Sequence, residues 1–244
     1  MLGLFLATMT GLLLFIYISI VYIPVIALKD EKTGVKLARE KLKWLSKLVL
    51  RSLDVKLNVV YKDKKSIDDL EREKGIIYVC NHQSNLDIPV LVSALHMDVG
   101  FVAKKEMKSW PFFSIWMKKS RCVFLNRENP REGIKDIKKA VKLIKEGYPI
   151  VIFPEGERTL TGEILNFKKG SFKLATETNG VIVPLTLKGT FDIQRRGDLR
   201  MRRGKKVTLV VDNPIHVDLL DRDELKNLSN TVKTIIEDNY RDIK

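Results

Sequence analysis

Apolar and polar positions along this chain fall into two regimes. From Met1 to Leu28 no charged side chain occurs. As a helix rising about 1.5 Å per residue, this stretch reaches roughly 42 Å, more than the roughly 30 Å hydrocarbon core of a bilayer. Next, Val35, Ala38, Leu42, Leu45, Val49 and Leu53 recur every three or four positions, with Lys36, Glu40, Lys43, Lys47 and Arg51 in an offset rhythm. That spacing predicts an amphipathic, mostly basic helix. From about Val55 the pattern changes to short β-branched runs at Val55–Val60, Ile76–Val79, Val99–Ala103, Cys122–Leu125, Ile150–Phe153, Val181–Leu187 and Lys206–Val211. Helical patterns lie between them at Ile88–Leu95, Pro130–Glu146, Lys169–Glu177 and Asp221–Tyr240. This alternation predicts an α/β domain, a largely parallel or mixed sheet flanked by helices, with ligands at the carboxyl ends of the strands. Repeats, Gly/Ser linkers and low-complexity tracts are missing, so residues 54–244 read as one domain behind a helical membrane-anchoring module at residues 1–53.

The first stretch lacks the basic n-region and small-residue cleavage site of a secretory signal, so it reads as an uncleaved anchor. Pro24 removes a backbone hydrogen bond and bends or ends a helix, which sets a helix dipping into one leaflet beside a true span. The basic helix after it either packs on the domain or, carrying Trp44, lies along an anionic headgroup layer; its place directly after the anchor favours the second reading. If the anchor spans, the Lys/Arg excess after Leu28 puts the catalytic domain on the cytoplasmic face of the membrane.

Charge narrows the class of partner. With 44 basic and 30 acidic residues the chain carries +14, which calls for an anionic partner: nucleic acid, an acidic carrier protein or a phospholipid surface. No nucleic-acid motif is evident, and the membrane module accounts for much of the excess. Cys80 and Cys122 form no CxxC or metal-ligand spacing, so they read as small buried hydrophobes and no metal is called for.

The polar residues that need explaining follow the predicted strands. After Ile76–Val79 comes Asn81-His82-Gln83-Ser84-Asn85-Leu86-Asp87, and Ile88-Pro89 then opens a helix. Asp87 can cap that helix, yet capping does not explain His82. A histidine in a strand-to-helix loop with a carboxylate five residues on suits a general base, because the carboxylate fixes the tautomer and stabilises the imidazolium. A second strand ends in Asn126-Arg127, and a third runs into Pro154-Glu155-Gly156-Glu157-Arg158-Thr159. There a glycine permits close backbone approach and an arginine fork suits a phosphate. Lys104 and Lys105 follow another strand, so three strand ends offer cations to one sheet edge.

These blocks, in this order, resemble the glycerolipid acyltransferases typified by 1-acylglycerol-3-phosphate acyltransferase. Asn81–Asp87 resembles the first block, Phe124–Arg127 the second, Phe153–Thr159 the third and Val181–Leu185 the fourth. The resemblance covers about residues 75–190. It implies that His82 takes the proton of the acceptor hydroxyl and Asp87 supports it. Basic residues of the later blocks, Arg127 and Arg158, then hold the acceptor phosphate, in a site that also takes in Glu155 and Gly156. Ala103-Lys104-Lys105-Glu106 resembles a segment whose lysine helps bind phosphate, with either Lys104 or Lys105 as the match. The implied acceptor is lysophosphatidic acid among membrane phospholipids. The implied donor is acyl carrier protein or coenzyme A carrying the acyl group as co-substrate, with no cofactor.

A thioester is already activated, so a hydroxyl deprotonated beside it needs no enzyme nucleophile. That agrees with the missing Gly-x-Ser-x-Gly elbow, which also speaks against a lipid hydrolase. Donors to the oxyanion are expected among backbone N–H groups near the His82 loop. Trp110–Met117 is dense in aromatics and reads equally as core packing or as a membrane boundary or acyl-chain slot. The rivals are the same chemistry on glycerol 3-phosphate or another lysolipid, and a non-catalytic phospholipid-binding protein for which His82 and Asp87 are expendable.

Overall fold

The computed structural model describes residues 2–70, 73–95 and 98–243, without the side chains of residues 2–12 and 130. Two long helices lead, α1 (Leu2–Ala27) and α2 (Glu31–Ser52), followed by β1 (Lys56–Tyr61), α3 (Lys64–Asp69), β2 (Ile76–Cys80) and α4 (Asp87–Ala94). Then come β3 (Gly100–Lys104), α5 (Phe113–Lys119), β4 (Val123–Leu125), α6 (Pro130–Lys145), β5 (Ile150–Ile152) and α7 (Lys173–Thr178). The chain closes with β6 (Val181–Lys188), α8 (Thr190–Ile193), β7 (Lys206–Val211), β8 (Ile215–His216) and α9 (Arg222–Asp242).

The strands form one mixed sheet in the order β1-β7-β6-β2-β5-β3-β4. Strands β6, β2, β5, β3 and β4 run parallel, β7 runs antiparallel to β6, and β8 pairs the start of β6. The carboxyl ends of five neighbouring strands therefore share one edge, where the predicted site residues begin. Alternation along β2 explains why the sheet is covered on both faces. Tyr78 and Cys80 join Leu50, Leu53, Val90 and Leu91 on the α2/α4 face, while Ile77 and Val79 join Ala140, Ile144, Val232 and Ile236 on the α6/α9 face. Outlying strand β1, open on its outer side, instead alternates exposed and half-buried residues.

The N-terminal helices depart from expectation. Asp30 caps α2 by accepting the Thr33 N–H at 3.0 Å, which starts the helix four residues before Val35. Its apolar stripe is covered by protein: Leu50 and Leu53 enter the α2/α4 core, while Ala38 meets Phe15, Ile18 and Ile26 of α1 and Trp116 of α5. The stripe read as lying on headgroups thus packs on the domain, because an apolar face seeks any apolar surface and the domain supplies one. The expected anchor lies partly outside the described side chains, and among the described residues no helix is long and apolar enough to cross a membrane. Helix α1 runs through Pro24 and ends three residues beyond it. The aromatic stretch divides: Trp116 is buried and donates its indole N–H to Ser19 Oγ, while Trp110 and Phe113 stand exposed.

Candidate active site

Five loops leave the shared sheet edge, and the one after β2 carries the ordered pair. His82 Nδ1 lies 2.7 Å from Asp87 Oδ2. Asp87 has no solvent exposure, and its carboxylate also accepts the N–H groups of Gln83 at 2.7 Å and Ser84 at 2.9 Å and the Thr190 hydroxyl at 2.5 Å. A carboxylate taking these donors is held immobile. Asp87 is therefore not the cap of α4; it is the first helical residue, folded back on the loop before it. Facing a carboxylate oxygen, Nδ1 is the ring nitrogen suited to donate to Asp87, which leaves Nε2 as the one turned to a substrate. The ring stacks on Phe153 at 4.0 Å between centroids, which fixes its plane.

The loop after β5 braces this pair. Glu155 is 2 % exposed, and its carboxylate accepts the His82 N–H at 2.6 Å and the Leu165 N–H at 2.9 Å. Burial pushes its carboxyl up to about 7, against the pull of those two donors. Expected in the phosphate site, Glu155 has both carboxyl oxygens engaged by backbone N–H groups and serves as a strut between two loops. Three of the backbone N–H groups around His82 are already engaged. The N–H of His82 goes to Glu155 and those of Gln83 and Ser84 to Asp87.

The cations gather around the next residues. Gly156 has φ +80, and a Cβ placed there would lie 2.7 Å from Lys168 Nζ and 3.3 Å from Arg127 Nη1. Only glycine fits both the backbone and the space. Arg127 donates to the Gly156 carbonyl oxygen, and the protein packed around its guanidinium lowers its pKa, with Glu106 and Glu157 pulling upward. Glu157 is held by Arg196 at 2.6 Å and feels the charges of Lys168 and Lys104. Arg196 also donates to the Arg158 carbonyl at 3.1 Å. Burial, and then the neighbouring Arg196, lower the pKa of half-buried Arg158, while Asp87 raises it. Lys105 departs from the group: it binds Glu132 at 2.6 Å, a carboxylate that also takes the Asn126 amide at 2.6 Å. Of the two adjacent lysines, only Lys104 stays with the cluster.

Sequence reasoning missed Lys168, Arg196 and Thr190. Lys168 directly follows Phe167 and precedes the helical pattern Lys169–Glu177, and nothing local announces its approach to Gly156. It missed Tyr240 as well, whose hydroxyl donates to Gly162 O at 2.9 Å and accepts from Gln83 Nε2 at 2.8 Å, tying α9 to the residue after His82. Among the described residues no three His, Cys, Asp or Glu side chains gather as metal ligands would.

A mixed α/β sheet thus carries a carboxylate-oriented histidine and a cluster of cations on one strand-end edge. The chain belongs to the acyltransferase family, whose model matches residues 62–188. It is 31% identical over 179 residues to a probable 1-acyl-sn-glycerol-3-phosphate acyltransferase of Mycoplasma pneumoniae, covering 69% of this chain and 67% of that one. A chloroplastic 1-acyl-sn-glycerol-3-phosphate acyltransferase of Arabidopsis thaliana is 36% identical over 157 residues, 63% of this chain and 44% of the plant protein. The crystal structure of the 1-acyl-sn-glycerophosphate acyltransferase of Thermotoga maritima superposes with a TM-score of 0.76 over 97% of both chains at 24% identity. That likeness covers the whole fold, N-terminal helices included.

Proposed function

We propose that this chain transfers a fatty-acyl group from an acyl thioester to the free sn-2 hydroxyl of 1-acyl-glycerol-3-phosphate, giving phosphatidic acid. The observation that carries this reading is the His82–Asp87 pair at 2.7 Å, set on the same strand-end edge as Arg127, Arg158, Lys104 and Lys168. The names of the relatives point to the same acceptor.

In this reading His82 Nε2 takes the proton of the acceptor hydroxyl as its oxygen attacks the thioester carbonyl carbon. Asp87 stabilises the imidazolium that forms. The tetrahedral intermediate collapses by breaking the C–S bond, and the imidazolium returns its proton to the departing sulfur, so a thiol leaves and no acyl-enzyme arises. The cation cluster neutralises the acceptor phosphate and sets the hydroxyl against the base, and holding the reactants in place supplies much of the rate. Acyl carrier protein or coenzyme A carries the donor acyl group.

We place the catalytic edge at the cytoplasmic face of a membrane, with residues 1–53 as the attachment. Supporting this, Leu13, Tyr17, Ile20 and Leu28 stand exposed on the outer side of α1 and its end, opposite the residues packed on α2. The test is to offer the purified protein in detergent both donors, each with lysophosphatidic acid and with glycerol 3-phosphate. Phosphatidic acid from the lysolipid is expected; turnover of glycerol 3-phosphate alone, or of neither acceptor, contradicts the proposal.

A further inference from the structure

Residues 195–206, a loop and the first residue of β7, carry seven cations and one acid, so this one stretch holds nearly half of the chain's +14 excess. It hangs from the catalytic edge. Ser84, next to the His82–Gln83 pair, donates its hydroxyl to the Gln194 carbonyl at 2.8 Å, and Arg196 grips Glu157 and the Arg158 carbonyl. The loop is also closed on itself, with the Arg202 N–H on Ile193 O at 2.9 Å and the Asp198 N–H on Arg195 O at 3.1 Å. Asp198, the one acid, is consumed internally by Arg200 and Arg202. What faces outward is cationic, except at the tip, where Leu199 is 90% exposed. On the adjoining loop, two residues past Arg158, Leu160 is 68% exposed.

We propose that this loop, with Leu160 beside it, is a membrane-docking surface that sets the mouth of the active site on anionic phospholipid. Lone apolar tips ringed by arginines suit an interface where the leucine enters the acyl boundary and the guanidinium groups stay with the phosphates. A protein partner could match the charge, but it would leave two highly exposed leucines on a polar rim unexplained. The inference deepens the reading of a bilayer-borne acceptor, and its decisive readout does not depend on turnover.

The test labels the full-length Leu199→Cys variant with an environment-sensitive fluorophore, with mock-labelled parent chain as background because Cys80 is buried and Cys122 half-buried. On vesicles containing phosphatidylglycerol the label should brighten and shift to the blue, the response should fade with added salt, and pure phosphatidylcholine should give little of it. A label that stays in water on vesicles the protein occupies overturns the proposal. So does a label that answers to acidic acyl carrier protein and not to vesicles. In a second arm, the triple variant Arg195→Glu/Arg200→Glu/Arg203→Glu should lose on the order of tenfold or more in turnover of long-chain acceptor in anionic vesicles. It should keep turnover of a short-chain, water-soluble lysophosphatidate, whereas equal loss on both would assign the loop to the acceptor site. Failure of the parent chain on every lysophosphatidate would sink the proposed function and leave the label to decide the docking.

Discussion

Glu155 accepts the backbone N–H of His82 at 2.6 Å, so the loop carrying the cation cluster also fixes the backbone of the histidine. The base and the anion site are thereby two ends of one braced unit. A shift in either loop is passed to the other through a buried carboxylate.

That carboxylate makes stability depend on pH. In the folded protein the Glu155 carboxyl is pushed up to about 7, against an ordinary value of 4.5. Between those values the folded chain holds a proton that the unfolded chain has released, so raising the pH through this window removes stability. The contribution is at most about 3 kcal/mol, lost between roughly pH 4.5 and 7. Urea unfolding at pH 5, 6 and 8 should show this fall in the parent chain and a flatter profile in Glu155→Gln, which stays neutral throughout. Parallel profiles would remove Glu155 as their source.

Arg158→Ala and Lys168→Met should each raise the acceptor KM about tenfold to a hundredfold, as loss of a charge-assisted contact predicts, with a smaller effect on the donor. Gly156→Ala should act in the same direction, because its Cβ would displace the Lys168 ammonium. Steady-state kinetics with each substrate varied in turn decides the matter. A change confined to the donor KM would move these cations to the carrier surface.

Tyr240→Phe removes a hydroxyl that bridges Gly162 and Gln83. The expected cost is about 1–3 kcal/mol in unfolding free energy, together with a lower kcat from a looser His82 loop. An unchanged kcat in a destabilised variant would confine Tyr240 to a structural role.

Deleting residues 1–28 strips Phe15, Ile18 and Ile26 from Trp116 and Ala38. The shortened chain should lose stability and bind vesicles less, yet keep salt-sensitive attachment to anionic vesicles through the 195–206 loop. Salt-insensitive binding of the shortened chain, seen by co-sedimentation, would contradict this.

Much of the molecule was legible in the sequence. The seven β-branched runs became strands β1–β7 within a residue or so, and the His82–Asp87 spacing produced a hydrogen-bonded pair. These are local signals: alternation along a strand, a strand followed by a polar loop, a carboxylate one short turn away. What escaped was long-range. Glu155 reads as part of the phosphate site, and only the fold shows it buried, with its carboxyl on the His82 and Leu165 N–H groups. Lys105 and Lys104 are adjacent, and only the partner Glu132, on α6, separates their roles. The α2 stripe has the same periodicity whether a bilayer or a protein core covers it, so its spacing could not choose between them.

His82 as the base is the central claim. Acyl transfer to lysophosphatidic acid by His82→Ala, shown folded by an unchanged unfolding transition, is its most direct test. The rate should fall by about a hundredfold to ten-thousandfold with acceptor binding retained, because the imidazole is needed only as the hydroxyl attacks. Transfer at the parent rate would contradict the mechanism and remove His82 as the base.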